Sequence, residues 1–164
     1  MQINHISHFG NLRVHRNKIE KMTSDAMTSK EISKYRVLIV NANQNSQETQ
    51  SQFLEEMGFI KVDYAEQDAQ LEQLVNENKY SIIIFELITF NQKALTSCNL
   101  IRNSQINKNT LLLAATYINE NVFGKCIEYG INGLIIKPFI YNLYKKSLCF
   151  YLSKVSDMKI KSIY

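Results

Sequence analysis

Two side chains in this sequence are placed to do chemistry, a lysine at 137 and a glutamate at 86. Gly133-Leu-Ile-Ile-Lys-Pro-Phe139 contains the only proline in 164 residues. Leu134 to Lys137 reads as a short buried strand, stopped where Pro138 removes a backbone donor. Lys137 is thereby fixed at a strand's carboxyl end, beside a peptide bond that could be cis. A cation held there suits a site that handles an anion. The plain alternative is that Pro138 opens a helix and Lys137 is a surface charge. Glu86 follows Ser81-Ile-Ile-Ile-Phe85, a run with the pattern of a strand buried on both faces.

The elements that must position these residues are legible from periodicity. Regularity starts at Tyr35, and Arg36-Val-Leu-Ile-Val40 reads as a first buried strand. Thr49, Phe53, Leu54 and Met57 recur at helical spacing, and Gly58 closes that helix. Ile60 to Tyr64 is a second strand, followed by a helix marked by Leu71, Leu74 and Val75. Ser81 to Phe85 is the third strand, with Ala94, Leu95, Cys98 and Ile101 marking the next helix. Leu111 to Ala115 is the fourth strand. Val122, Phe123, Cys126 and Ile127 mark the fourth helix, closed by Gly130. Leu134 to Ile136 is the fifth strand, and Tyr144, Leu148, Tyr151 and Leu152 mark a fifth helix.

Strict strand–helix alternation demands right-handed crossovers and a parallel sheet covered on both faces. The expected fold is α/β, doubly wound, with five parallel strands in the order 2-1-3-4-5. Ligand chemistry then gathers at the carboxyl ends of the strands. Those ends are Asn41-Ala42, Glu86, Ala115-Thr116 and Lys137. Thr116 points to the opposite face from Ala115.

Length and composition fit one globular domain, with 45% apolar and 21% charged residues. We expect a basic tail or loosely packed helix over 1–34, the domain proper over 35–153, and a basic tail over 154–164. Residues 1–34 carry +3 and residues 145–164 carry +4, which leaves −3 for 35–144 out of a total of +4. Neither end has the dense lysine and arginine runs of a nucleic-acid arm, so nucleic acid is an unlikely partner. Thr28-Ser29-Lys30-Glu31 could open a helical turn leading into Tyr35. His5, His8 and His15 do not share a helical face and predict no metal site. Cys98, Cys126 and Cys149 lack ligand spacing and read as buried free thiols of a reducing compartment. No apolar run is long enough to span a membrane and no signal peptide is evident, so the expected location is cytoplasmic.

Over about residues 35–153 the chain resembles the receiver domain of bacterial two-component response regulators. Val37-Leu-Ile-Val40 is similar to that family's first strand, and Gly58-Phe59 to the turn after its first helix. Ser81-Ile-Ile-Ile-Phe-Glu86-Leu is similar to the third strand with its phosphoacceptor. Tyr129-Gly-Ile-Asn-Gly-Leu-Ile-Ile-Lys-Pro-Phe139 matches the fifth strand and the Lys-Pro signature. The resemblance implies a flavodoxin-like receiver fold. It also implies a Mg²⁺-binding acidic pair, which here reads Asn41 and Ala42. The acceptor aspartate is replaced by Glu86, the phosphoryl-binding Thr/Ser by Ala115, and the aromatic of the fifth strand by Leu134. Thr89-Phe90 stands where Met-Pro is usual. Lys137 alone survives.

Phosphoryl transfer to a carboxylate needs Mg²⁺, and Mg²⁺ needs carboxylates to hold it. We therefore expect a non-enzymatic pseudo-receiver that needs no cofactor, with Mg²⁺ binding weak or absent. Glu86 is expected either to pair with Lys137 or to be solvated in a groove. The alternative is an active receiver phosphorylated unconventionally on Glu86 by a histidine kinase or small phosphodonor. Without phosphorylation, output is expected through docking to another signalling protein or through self-association as a dimer. Tyr141, Tyr144, Phe150 and Tyr151, beside Lys145-Lys146, are the candidate interface anchors.

Overall fold

In the computed structural model, residues 27–66 and 68–161 are described. The elements are β1 (Arg36–Val40), α1 (Gln44–Met57), β2 (Lys61–Ala65), α2 (Asp68–Glu77), β3 (Ile82–Glu86), α3 (Gln92–Asn103), β4 (Leu111–Thr116), α4 (Val122–Glu128), β5 (Gly133–Ile136) and α5 (Tyr141–Lys161). A single helical turn, Ser29–Ile32, precedes them. The strands are all parallel, in the order β2-β1-β3-β4-β5. This is the doubly wound, flavodoxin-like arrangement expected from the alternation.

Side-chain alternation along the strands divides the core into two layers. Leu38, Val40, Ile83, Phe85, Leu112 and Ala114 face one side, packed against α2, α3 and α4. Val37, Ile39, Ile82, Ile84, Leu113, Ala115 and Ile135 face the other, packed against Leu54 and Met57 of α1 and Tyr144, Leu148 and Leu152 of α5. The three central strands are buried on both faces because crossover helices cover both. The edge strands are not. In β5 only Ile135 is buried and Ile136 is exposed, which corrects the expectation of a buried fifth strand. Three apolar residues in a row, Leu134 to Ile136, look alike in sequence whether the strand is central or at an edge. The second strand runs Lys61–Ala65, one residue later than expected, and leaves Ile60 exposed.

Residues 27–34 belong to the packed structure. Thr28 Oγ1 accepts the Glu31 N–H at 3.3 Å, while Glu31 Oε2 accepts the Thr28 N–H at 2.8 Å. This capping box turns Ile32 into the α1/α5 layer. The turn sits against the end of α1, where Gly58 adopts φ +100° and a Cβ would lie 2.8 Å from Ser29 Cβ. Only glycine fits there on both counts. The histidines at 5, 8 and 15 lie outside the described residues. At the other end α5 continues through 154–161, since nothing after Leu152 breaks a helix. Among the described residues no helix is long and apolar enough to cross a membrane.

Candidate functional site at the carboxyl edge of the sheet

The sheet register brings the expected site residues together. Glu86 is the last residue of β3 and the register partner of Ala115 on β4. Lys137 follows β5 and donates its N–H to Thr116 O at 2.9 Å, extending the ladder by one bond. The Lys137–Pro138 bond is cis. The Lys137 ammonium donates to Glu86 Oε1 as an ion pair. Glu86 is 0% exposed and the Lys137 side chain 13%. The ammonium also lies 5.5 Å from the Tyr117 ring centroid and 5.3 Å from that of Phe139. Both rings present negative π density to the cation. A pair this buried persists because each charge is the other's replacement for water.

Asn41 follows β1 with φ +60°, a left-handed conformation that asparagine tolerates better than most residues. Its N–H donates to Ala65 O at 2.8 Å, and its side-chain amide donates to Glu86 O at 3.4 Å. Ala42 is buried in the α1/α5 layer together with Ala115. Among the described residues, three polar side-chain atoms are buried without a hydrogen-bond partner: Glu86 Oε2, Ser46 Oγ and Gln50 Nε2. Gln50 Oε1 accepts the Tyr144 hydroxyl at 3.0 Å. Burial raises the Tyr144 phenol well above the usual tyrosine value, and the Tyr64 phenol and the Glu86 charge raise it further.

These residues do not fit a magnesium ion. Hard divalent cations need several oxygen donors, most of them charged. Of Asn41, Ala42, Glu86, Ala115 and Lys137, only Glu86 brings a carboxylate, and one of its oxygens is held by an ammonium. Asn41 turns its amide nitrogen towards Glu86 O, and Ala42 has no donor. Among the described residues, no group of three or more His, Cys, Asp or Glu side chains could hold a metal.

The expected interface anchors are placed differently. Tyr144 is a core residue, 2% exposed and bonded to Gln50, so it cannot anchor a partner. Tyr151 lies across β5, where its hydroxyl accepts the Leu134 N–H at 3.0 Å. A Cβ on Gly133 would stand 2.2 Å from that hydroxyl, so any larger residue there must push the Tyr151 ring aside. Tyr141 packs edge-on against Phe53 of α1 with ring centroids 5.2 Å apart, and Lys145 lies over Tyr141. Phe150 is half-buried. Helical spacing showed which of these share a face but not which face meets the sheet. Exposed apolar residues sit elsewhere, among them Phe123 and Ile127 of α4, Ile136 of β5, and Ile140 and Leu143 around the start of α5.

Residues 37–147 match the family model of the response regulator receiver domain. No curated protein matches the chain. Among solved structures, the chain is similar to a signal receiver domain of a two-component histidine kinase from Clostridium thermocellum. They share 17% identity over 72% of this chain and 97% of that one, with a TM-score of 0.62. Chemotaxis protein CheY4 of Vibrio cholerae gives 19% identity over 71% of this chain and 98% of that one, with a TM-score of 0.64. The receiver domain of a sensor histidine kinase from Pseudomonas aeruginosa, solved with magnesium coordinated in its active-site cleft, gives 17% over 73% and 98%, with a TM-score of 0.62. Fold, register and family model agree, and the chain belongs to the response regulator receiver domain family. Receiver domains are modules of two-component signalling that interact with signalling proteins such as histidine kinases.

Proposed function

We propose that this receiver domain is a pseudo-receiver that signals by docking to another protein, without phosphorylation. The observation that carries this reading is the buried Glu86–Lys137 pair. A phosphoacceptor must offer a carboxylate oxygen in line with the donor, next to a metal that neutralises the developing charge. Here one oxygen of Glu86 is committed to an ammonium and the other is buried. The acidic-pair positions, Asn41 and Ala42, bring no charge. The domain on this reading is not an enzyme, uses no cofactor, and binds Mg²⁺ weakly or not at all. Its partners are another signalling protein or, less favoured, a second copy of itself.

The competing reading, an active receiver phosphorylated on Glu86, draws on the unpartnered Glu86 Oε2. Incubation with acetyl phosphate or beryllofluoride and Mg²⁺, read by intact mass and tyrosine fluorescence, separates the two. No adduct and no saturable Mg²⁺ response are expected. A stoichiometric, Mg²⁺-dependent phosphoryl adduct on Glu86 overturns the pseudo-receiver reading.

A further inference from the structure

The α1/α5 layer of the core holds polar groups that its own packing does not satisfy. Glu86 stands two residues beyond Ile84 on β3, so its side chain enters the layer that Ile82 and Ile84 enter. Its register partner there, Ala115, brings no polar group. Ser46 and Gln50 are four residues apart on α1, share one face of that helix and are both buried. Glu86 and Gln50 are 0% exposed and Ser46 is 8% exposed.

Tyr144 of α5 relates these groups to one another. Its hydroxyl donates to Gln50 Oε1 at 3.0 Å, and the Glu86 charge acts on the same phenol. The carboxylate and the Gln50 amide are thus neighbours of one hydroxyl. The Ser46 hydroxyl is set apart from others on its helix. Thr49 Oγ1 donates to Asn45 O at 2.9 Å, and Ser51 Oγ donates to Gln47 O at 2.6 Å. Ser46 Oγ makes no such bond one turn back. Buried polar groups in a folded core almost always have partners, in protein or in ordered water.

The chemistry of the three atoms selects the occupant. A carboxylate oxygen only accepts, an amide nitrogen only donates, and a hydroxyl does both. An anion is repelled by Glu86. A cation is repelled by the Lys137 ammonium already bound to Glu86, and it gains nothing from the Gln50 N–H. The ligand must be neutral, must donate and accept at once, and must fit among residues this buried. Water meets all three conditions, and about three hydrogen bonds is the usual number for a buried water.

We infer that Glu86 Oε2, Ser46 Oγ and Gln50 Nε2 together bind one internal water molecule. The water donates to Glu86 Oε2, accepts from Gln50 Nε2 and completes its bonds with the Ser46 hydroxyl. It gives the second carboxylate oxygen the hydrogen bond that pairing with Lys137 leaves unmade. It also closes a chain from Tyr144 through Gln50, the water and Glu86 to Lys137, joining α5, α1, β3 and the end of β5. The inference goes beyond the docking reading and does not depend on it.

The test uses the full chain. A high-resolution crystal structure should show one water at about 2.7–3.2 Å from all three atoms. In solution, magnetic relaxation dispersion of the water oxygen should detect a long-lived internal water without interference from exchanging hydroxyl protons. Ser46→Val replaces the hydroxyl by methyl groups that fill its place, and the dispersion amplitude should fall by that of one water. The crystallographic arm needs no variant, so the test survives a Ser46→Val chain that fails to fold.

A direct Gln50–Glu86 hydrogen bond in the crystal overturns the inference, as does a cation bound in place of the water. So does a dispersion amplitude unchanged in folded Ser46→Val.

Discussion

Lys137 and Glu86 stand 51 residues apart in sequence and meet as an ion pair in which the carboxylate is wholly buried. Such a pair is asymmetric in its response to mutation. Lys137→Met strands a buried charge and should cost about 3–5 kcal/mol of stability, read from the urea midpoint. Glu86→Leu combined with Lys137→Met removes both charges and should recover most of that loss. A Lys137→Met variant within about 1 kcal/mol of the parent would mean that the pair behaves like a solvated surface contact.

The Tyr144–Gln50 hydrogen bond offers a second measurement. Tyr144→Phe and Gln50→Leu each leave a buried polar group without its partner, and each should cost about 1–3 kcal/mol. The double variant should cost less than the two singles together, with a coupling of at least about 0.5 kcal/mol. Strict additivity would place the two side chains out of contact.

Much of this architecture was readable in the sequence, and the failures have a common cause. The apolar runs at 36–40, 81–85 and 111–115 fit central strands, which crossover helices cover on both faces. Gly58 marked the end of α1 because its conformation excludes other residues. Lys137-Pro138 marked the end of β5. What failed depended on neighbours distant in sequence. Tyr144 looked like an interface anchor, yet its hydroxyl finds Gln50 across 94 residues. Leu134 and Ile136 looked buried from their pattern, although the expected strand order already left β5 with one neighbour. The convergence of Asn41, Glu86, Ala115 and Lys137 was legible because it follows from topology alone.

The thiols should differ in reactivity. Burial pushes the Cys98 thiol up to about 12 and the Cys126 thiol up to about 11. Cys149 is also raised by burial, but it is half-buried and has Lys145 nearby to favour its thiolate. Alkylation at neutral pH followed by mass spectrometry should label Cys149 first, with Cys98 and Cys126 reacting only in denaturant. Cys98 reacting as fast as Cys149 in the native protein would contradict the packing of α3 against the sheet.

Alkaline pH should unfold the domain through its tyrosines. Burial raises the Tyr80 and Tyr144 phenols well above the usual value, and Tyr80 also donates to Asp63 Oδ2 at 2.9 Å. The folded state thus favours their protonated form more than the unfolded state does. That contribution is complete below about pH 10, where an unfolded tyrosine titrates, and is lost as pH rises towards the folded values. With no tryptophan and nine tyrosines, tyrosinate absorbance reads this directly. Stability should hold to about pH 9 and then fall, with Tyr80 and Tyr144 ionising only as the protein unfolds. All nine tyrosines ionising together in the folded protein would rule this out.

The Tyr151 hydroxyl laid over Gly133 fastens α5 to the strand that ends one residue before Lys137. A ligand that displaces α5 must therefore either break that fastening or carry β5, and Lys137 with it, away from Glu86. Free-energy linkage makes the relation symmetric. Whatever engagement at α5 does to the strength of the buried pair, altering the pair does by the same factor to the affinity at α5. The receiver would then retain an allosteric connection between its acceptor position and its outer helix, with a fixed charge pair at one end in place of a transferable phosphoryl group.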